Sequence, residues 1–312
     1  MTNTVLASEI TEHYALYNGD CIEVMTMLPP DSVGLSLFSP PYLSLYVYSS
    51  SPRDMGNAAT DSEFMEHFGY AIDGLMRITM PGRIVAVDCM NVPAMNVKDG
   101  YIGLKDFRGD LIRAFLERGF IFHSEHCIWK DPLIEATRTK ALGLMHKQLC
   151  KDSAMCRSGI PQYLLAFRKP GENPVPIAHP AGLEWFAGED EPTDGVIAHE
   201  RWRRYASPVW MDIRPTRTLN YMAARSESDE RHIAPMALDI IERAVRLWTN
   251  PADVVLTPFL GIGSEAYVAL KLGRRAVGIE LKESYFRAAV RNLEAAVAER
   301  GQATLFELEA AD

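Results

Sequence analysis

Four consecutive residues, Ser39-Pro40-Pro41-Tyr42, bring together groups suited to one kind of chemistry. The two prolines fix φ and remove two backbone N–H donors, so the segment is rigid and its carbonyls only accept. Ser39 adds a hydroxyl oxygen and Tyr42 a flat aromatic face. This set suits a planar base bearing an exocyclic amine. The lone pair of such an amine is delocalised into the ring, which makes the nitrogen a poor nucleophile. Hydrogen bonds from its N–H groups to Ser39 Oγ and the Pro40 carbonyl favour a pyramidal nitrogen with a localised lone pair. That nitrogen can attack a sulfonium methyl directly while Tyr42 stacks on the base. A Pro-Pro turn capping a strand beside an incidental tyrosine fits the tetrapeptide equally well, so the rest of the chain has to decide.

A second constellation lies near the C-terminus. Residues 253–257 (DVVLT) read as a strand, Gly261-Ile262-Gly263 as a glycine turn, and 264–272 as a helix with Gly273 at its end. Residues 275–280 form the next strand, which ends on Glu280. Strand, Gly-x-Gly, helix, strand and acid is a layout for an adenosine-containing cofactor. The glycines turn tightly and let the backbone approach the ligand, and the acid accepts from ribose hydroxyls. Residues 261–266 also satisfy the relaxed dinucleotide pattern G-x-G-x-x-A. NAD(P) and S-adenosylmethionine compete for such a site. A nicotinamide enzyme needs a second strand–helix half after the first, and only about fifty residues follow Gly263.

The elements that must position these residues read as α/β. Residues 33–38 are a short strand leading into Ser39, 62–80 an amphipathic helix stopped at Pro81-Gly82, and 83–88 a buried strand. A helix over 109–118 and strands over 120–129 and 162–168 follow, and Pro235 opens a helix through Trp248. A long amphipathic helix covers 282–299. The stretch 130–210 lacks a single period over 132–160 and is rich in Pro, Gly and acids over 170–208, so it reads as an insertion or smaller lobe.

The chain has 312 residues, 47% of them hydrophobic, which is enough for a full α/β core and excludes a mostly disordered chain. Its net charge of −9 at first argues against nucleic acid as a partner. The charge is segregated, however. Residues 1–70 hold nine acids against Arg53 alone, whereas 129–169 hold eight Lys/Arg against three acids. Residues 184–200 carry six acids, and Arg201, Arg203, Arg204, Arg214 and Arg217 then face only Asp212. The five cysteines are an odd number and make no disulfide framework; Cys150 and Cys156 with His146 match no tight zinc spacing, so no metal is expected. No apolar run reaches membrane-spanning length and no secretory leader is visible, so a cytoplasmic, nucleoid-associated protein is expected.

Taken together, the elements resemble the DNA amino-methyltransferases that modify adenine N6 or cytosine N4, in the permuted β-class order. The catalytic Ser39-Pro40-Pro41-Tyr42 comes first and the glycine loop Pro258-Phe259-Leu260-Gly261-Ile262-Gly263-Ser264 late. Asn18-Gly19-Asp20-Cys21, Asp54-Met55-Gly56-Asn57, Pro81-Gly82-Arg83, Thr249-Asn250, Gly278-Ile279-Glu280 and Tyr285 extend the likeness over most of the chain outside 130–210. The resemblance implies a Rossmann-like seven-stranded sheet with an inserted target-recognition lobe. Residues 1–129 would form the catalytic part of the core, 130–210 the recognition region and 211–312 the cofactor part. S-adenosylmethionine would be the cofactor, with no metal. Asp20 would lie near its adenine, Glu280 at its ribose, and Phe259 to Ser264 around its methionine end. Cys21, His232, Thr257, Pro258 and Leu281 complete the implied cofactor set. Ser39 is more typical of cytosine-N4 members, yet adenine members are more numerous, and the base stays open.

An amine paired inside a duplex is out of reach of the methyl, so the target base must be flipped out. Double-stranded DNA would be met by Tyr46 and Arg53 beside the site and by Lys130, Arg138, Lys140, Lys147, Lys151 and Arg157 in the inserted region, with Arg201 and Arg203 as a second patch. Any one of these cations is also an ordinary solvated side chain. A homodimer follows from the resemblance alone. No nuclease motif is evident, which fits a stand-alone modification enzyme or half of a two-gene restriction–modification system. A DNA-binding regulator that keeps the fold without turnover and an NAD-dependent oxidoreductase are the rival readings. The family usually has Asp where this chain has Thr257, so one carboxylate that would hold the cofactor's ammonium is missing. Thr257→Asp is expected to keep or improve cofactor affinity; calorimetry showing lost binding would count against that.

Overall fold

The computed structural model describes residues 5–43, 53–94, 96–139, 149–155, 158–179, 196–220 and 235–309. Strands β1 (Val5–Ile10) and β2 (Tyr14–Gly19) form a hairpin that leads into α1 (Cys21–Met27) and β3 (Val33–Phe38). Helix α2 (Asp61–Ile78) then passes directly into β4 (Thr79–Met90). A small pair, β5 (Val92–Ala94) and β6 (Gly103–Lys105), encloses the short α3 (Asn96–Asp99) and precedes α4 (Phe107–Glu117) and β7 (Ile121–Ile128). Next come α5 (Pro132–Thr139), β8 (Gln162–Arg168), α6 (Val196–Ala206) and β9 (Val209–Trp210). The C-terminal part runs α7 (Leu238–Trp248), β10 (Val254–Thr257), α8 (Ser264–Lys271), β11 (Arg275–Glu280) and α9 (Glu283–Glu309).

Nine strands make one sheet in the order β1-β2-β11-β10-β3-β4-β8-β7-β9. From β2 to β4 all neighbours are parallel, and β8 enters antiparallel between β4 and β7. Parallel strands covered on both faces read as unbroken apolar runs, and every residue of β3 is buried. One face carries α7, α8 and α9 through residues such as Ile241, Ala269 and Leu293. The other carries α1, α2 and α4 through Met25, Phe68 and Phe115.

Several expectations are corrected. The sheet has nine strands rather than seven, because β1 adds to the β2 edge and β9 to the β7 edge. Residues 162–168 lie between β4 and β7, so the 130–210 stretch is interrupted by a strand of the core sheet. Helix α2 stops at Ile78, and β4 starts before Pro81-Gly82 rather than after it. There the β3–β4 register slips between Val33 and Leu35, and Gly82 takes φ +71°. A strand tolerates proline at such an irregularity, where no ladder bond is lost. Helix α7 begins at Leu238, behind Ala237, rather than at Pro235.

The sheet is clamped at the edge opposite its strand tips. The Arg83 side chain is fully buried and pairs with Asp253 just before β10. It also donates to the Gly34 carbonyl of β3 at 3.0 Å and to the Val175 carbonyl at 2.9 Å. Removing one partner of such a pair strands a buried charge. Arg83→Met should therefore cost about 3–5 kcal/mol in denaturant unfolding, and a loss below ~1 kcal/mol would show that the clamp contributes little.

Candidate active site

The strand order makes neighbours of segments more than two hundred residues apart. In the β3–β10 register Val255 faces Leu35 and Leu256 faces Ser36. The Ser39-Pro40-Pro41-Tyr42 segment therefore leaves the sheet beside the Pro258-to-Gly263 turn, at the carboxyl ends of parallel strands, where open α/β sheets bind ligands. Phe259 joins the two, its ring 5.5 Å from Phe38 and 6.3 Å from Phe68. The Tyr42 ring lies 5.9 Å from Phe107, and the Ser39 hydroxyl donates to the Tyr42 hydroxyl at 3.3 Å. The Leu43 amide donates back to the Pro41 carbonyl at 3.1 Å, with Leu43 at φ +52°. A non-glycine residue in that region costs about 1 kcal/mol or more, and such strain gathers where a segment must keep its shape for function.

In the turn between β10 and α8, Gly261 and Gly263 have φ +53° and +90°. A Cβ on Gly263 would press on Leu293 at 3.0 Å, whereas one on Gly261 would meet nothing within 4 Å. Gly261 thus stands open on its outer side and Gly263 is closed against α9. The Glu280 carboxylate fixes the turn from beneath. It accepts the Gly261 amide at 2.7 Å through one oxygen and the Lys282 amide at 2.8 Å through the other. Burial pushes Glu280 up to about 7 despite those two bonds, and the nearby Asp54 adds to the rise. Asn18 donates to the Glu280 and Leu281 carbonyls at 2.8 and 3.1 Å, which ties β2 to the tip of β11. Asp20 caps α1 by accepting from the Ile22 and Glu23 amides. Burial holds the Cys21 thiol well above its ordinary range, so it stays protonated.

Two further acids sit here that the sequence reading passed over. Asp88, near the end of β4, accepts from the Gln162 carboxamide at 2.7 and 2.8 Å, and burial pushes it up to about 6. Glu265, in the first turn of α8, is buried and pushed up to about 8, with the Asp88 charge contributing. The only sequence signals were an acid ending the strand 83–88, like the one ending 275–280, and a charge on an otherwise apolar helix start. Among the described residues, the buried hydroxyls of Thr257 and Ser264 have no hydrogen-bond partner.

The expected DNA-contacting residues fall on several elements, and some lie outside the described residues. Arg53 pairs with Glu23 at 2.7 Å. Lys130 is half-buried, and its charge reaches Asp88. Lys151 and Arg203 are exposed, Arg201 is half-buried, and Arg138 belongs to α5. Tyr46, Lys140, Lys147, Arg157 and His232 lie outside the described residues. Trp210 is core, stacked with His126 at 4.3 Å between ring centroids, while Trp129 and Trp202 are exposed.

Asp88, Glu265 and Glu280 all bind protons more tightly in the folded chain than in the unfolded one. Between about pH 4 and 8 the native state holds protons that the unfolded chain has released, so stability falls as pH rises. The ligand-free protein should melt at a lower temperature at pH 8 than at pH 6, and Glu265→Gln should shrink that difference. An unchanged pH dependence in the variant would mean that Glu265 titrates normally.

A family model described as DNA methylase (N6_N4_Mtase) matches residues 33–291. The type II methyltransferase M.BamHI of Bacillus amyloliquefaciens is 24% identical over 85% of this chain and 54% of its own length. M.MjaI of Methanocaldococcus jannaschii is 23% identical over 90% and 91%. The chain spans about half the length of M.BamHI, and smaller shares of M1.MboII and M.ScaI. Among solved structures, TTHA0409 of Thermus thermophilus in complex with S-adenosyl-L-methionine shares the fold, with a TM-score of 0.62 and 22% identity over 91% of this chain and 96% of that one. The cytosine-N4-specific PvuII DNA methyltransferase follows at 0.60, with 18% identity over 90% and 86%. No helix among the described residues is long and apolar enough to cross a membrane. With the family match running from β3 into α9 and so through both halves of the site, the chain belongs to the DNA methylase family.

Proposed function

We propose that this chain moves a methyl group from S-adenosylmethionine to the exocyclic amine of a flipped adenine or cytosine in double-stranded DNA. The observation that carries the reading is the β3–β10 pairing, which sets an amine-accepting segment directly beside a glycine turn with an acid under it. The residues present fit the cofactor. Gly261 is open on its outer side, and Glu280 retains lone pairs beyond its two amide bonds. The Thr257 and Ser264 hydroxyls are buried and have no partners among the described residues. When bound, the cofactor supplies an electrophilic methyl on a sulfonium.

The chain's own groups do the rest. Ser39 Oγ and the Pro40 carbonyl accept the two amine N–H groups and direct the nitrogen lone pair away from the ring. The 3.3 Å Ser39–Tyr42 contact is long enough to yield when a base arrives. Tyr42 offers the base a face, and its packing on Phe107 holds the ring in place. Adenine and cytosine present the same N–H donor beside a ring nitrogen, so these contacts serve either. Arg203 and Lys151, both exposed, are available to phosphates.

The absence of an acid at position 257 also supports a second reading, a DNA-binding regulator without turnover. Tritiated S-adenosylmethionine with mixed-sequence duplex DNA separates the two. Label should enter the DNA, and Ser39→Ala should slow transfer roughly a hundredfold while the cofactor still binds. Cofactor bound with no label in DNA would leave the regulator. Modified-base sequencing of an expressing host's genome then reads out the base and its site together.

A further inference from the structure

We infer that Glu265 is the carboxylate that holds the ammonium of the cofactor's amino-acid end, in a buried polar spot shared with Thr257, Ser264 and Asp88. The inference rests on the cofactor assignment above and names its missing contact. Alternate residues of a strand share a face. Val255, Leu35, Leu37, Ile84 and Ala86 belong to the apolar cluster beneath α8, together with Ala266, Val268 and Ala269. Thr257 and Asp88 continue the same alternation at the ends of β10 and β4, and therefore emerge on the face that α8 covers. Glu265 occupies the first turn of that helix, on the far side of the glycine turn from Thr257.

Two buried acids that feel one another's charge are costly, because each loses its hydration and repels the other. Asp88 is relieved by the Gln162 amide and by the charge of Lys130. Among the described residues, Glu265 has its own backbone amide and no cation. The Thr257 and Ser264 hydroxyls are buried and, among the described residues, unpartnered, and α8 starts at Gly263 without any side-chain cap. Among the described residues the spot thus lacks a cation for Glu265 and acceptors for its two free hydroxyls. A zwitterionic amino-acid end carries both, an ammonium for Glu265 and a carboxylate for the hydroxyls and the first α8 amides. Ser36, whose hydroxyl is also unpartnered, lies on the opposite face of the sheet and is not part of this spot. The acid that the resemblance implies at 257 has, in effect, moved across the turn to 265.

Calorimetry on the full chain tests this with three probes, S-adenosylmethionine, S-adenosylhomocysteine and 5′-methylthioadenosine, the last lacking the amino-acid end. Glu265→Gln, isosteric with the protonated acid and checked for an intact unfolding transition, should weaken the first two roughly tenfold or more. It should leave 5′-methylthioadenosine within about twofold. Glu265→Gln combined with Thr257→Asp should recover much of the loss, because a carboxylate returns to the same face. Equal binding of S-adenosylmethionine by Glu265→Gln and the parent chain would overturn the inference and leave the proposed function standing. So would a parallel loss of all three ligands. A parent chain that binds none of the three would overturn both.

Discussion

The parallel pairing of β3 with β10 is the constraint on which the rest of this molecule depends. It joins residues 33–38 to residues 254–257 across almost the whole chain, and nothing local in either segment demands it. What makes it possible is burial on both faces: α2 and α4 close one side, α7 to α9 the other. The Arg83 guanidinium reaches two backbone carbonyls and the Asp253 carboxylate at the opposite edge and holds the same strands in register. Strands β3 and β10 could slide only by breaking that buried set. The tips, where Ser39 and Pro258 leave the sheet, inherit this rigidity, which is why two loops so far apart in sequence can meet with fixed geometry.

The electrostatics of the tips follow from the same packing. Three acids, Glu280, Asp88 and Glu265, are held where burial disfavours their charge, and all are pushed upward. Glu280 is partly compensated by two amides and serves the backbone as much as any ligand. Asp88 is partly compensated by Gln162. A core selected for stability alone would replace such groups with apolar ones at little cost. In this chain the three acids stand near the ends of β4 and β11 and in the first turn of α8, and a cationic ligand there would relieve them in the way proposed above.

Both halves of the site were legible because their signals are local. Two prolines after an apolar run, and glycines between a strand and a helix, constrain the backbone wherever they occur. Glu280 was legible because it ends a strand of its own. Asp88 and Glu265 were not, since their meaning arises only when the sheet order brings β4 within reach of α8, and no periodicity encodes that. Strand β8 shows the same limit from the other side: residues 162–168 read as a strand, yet nothing in them announces an antiparallel insertion into the core. The strands of the β1–β2 hairpin and α1, of six, six and seven residues, are too short for a hydrophobic period to stand out, although Asn18-Gly19-Asp20 and Pro29-Pro30 mark the two ends of α1.

Net charge is the point at which sequence arithmetic needs the structure most. The basic run over 201–217 looks uniform in sequence, but Arg214 and Arg217 are spent on Asp239 and Glu242. Its lone acid, Asp212, is held by Arg243 from α7. Both groups of ion pairs fasten the segment after β9 to the core. Arg203 and Arg204 are exposed on α6, and the Arg204 charge also acts on Asp212. A cation already paired releases few counterions when phosphate approaches, so exposed, uncommitted cations set the salt dependence of DNA binding. Counting charges along the chain therefore overstates how many of these arginines, among the described residues, the fold leaves open to solvent.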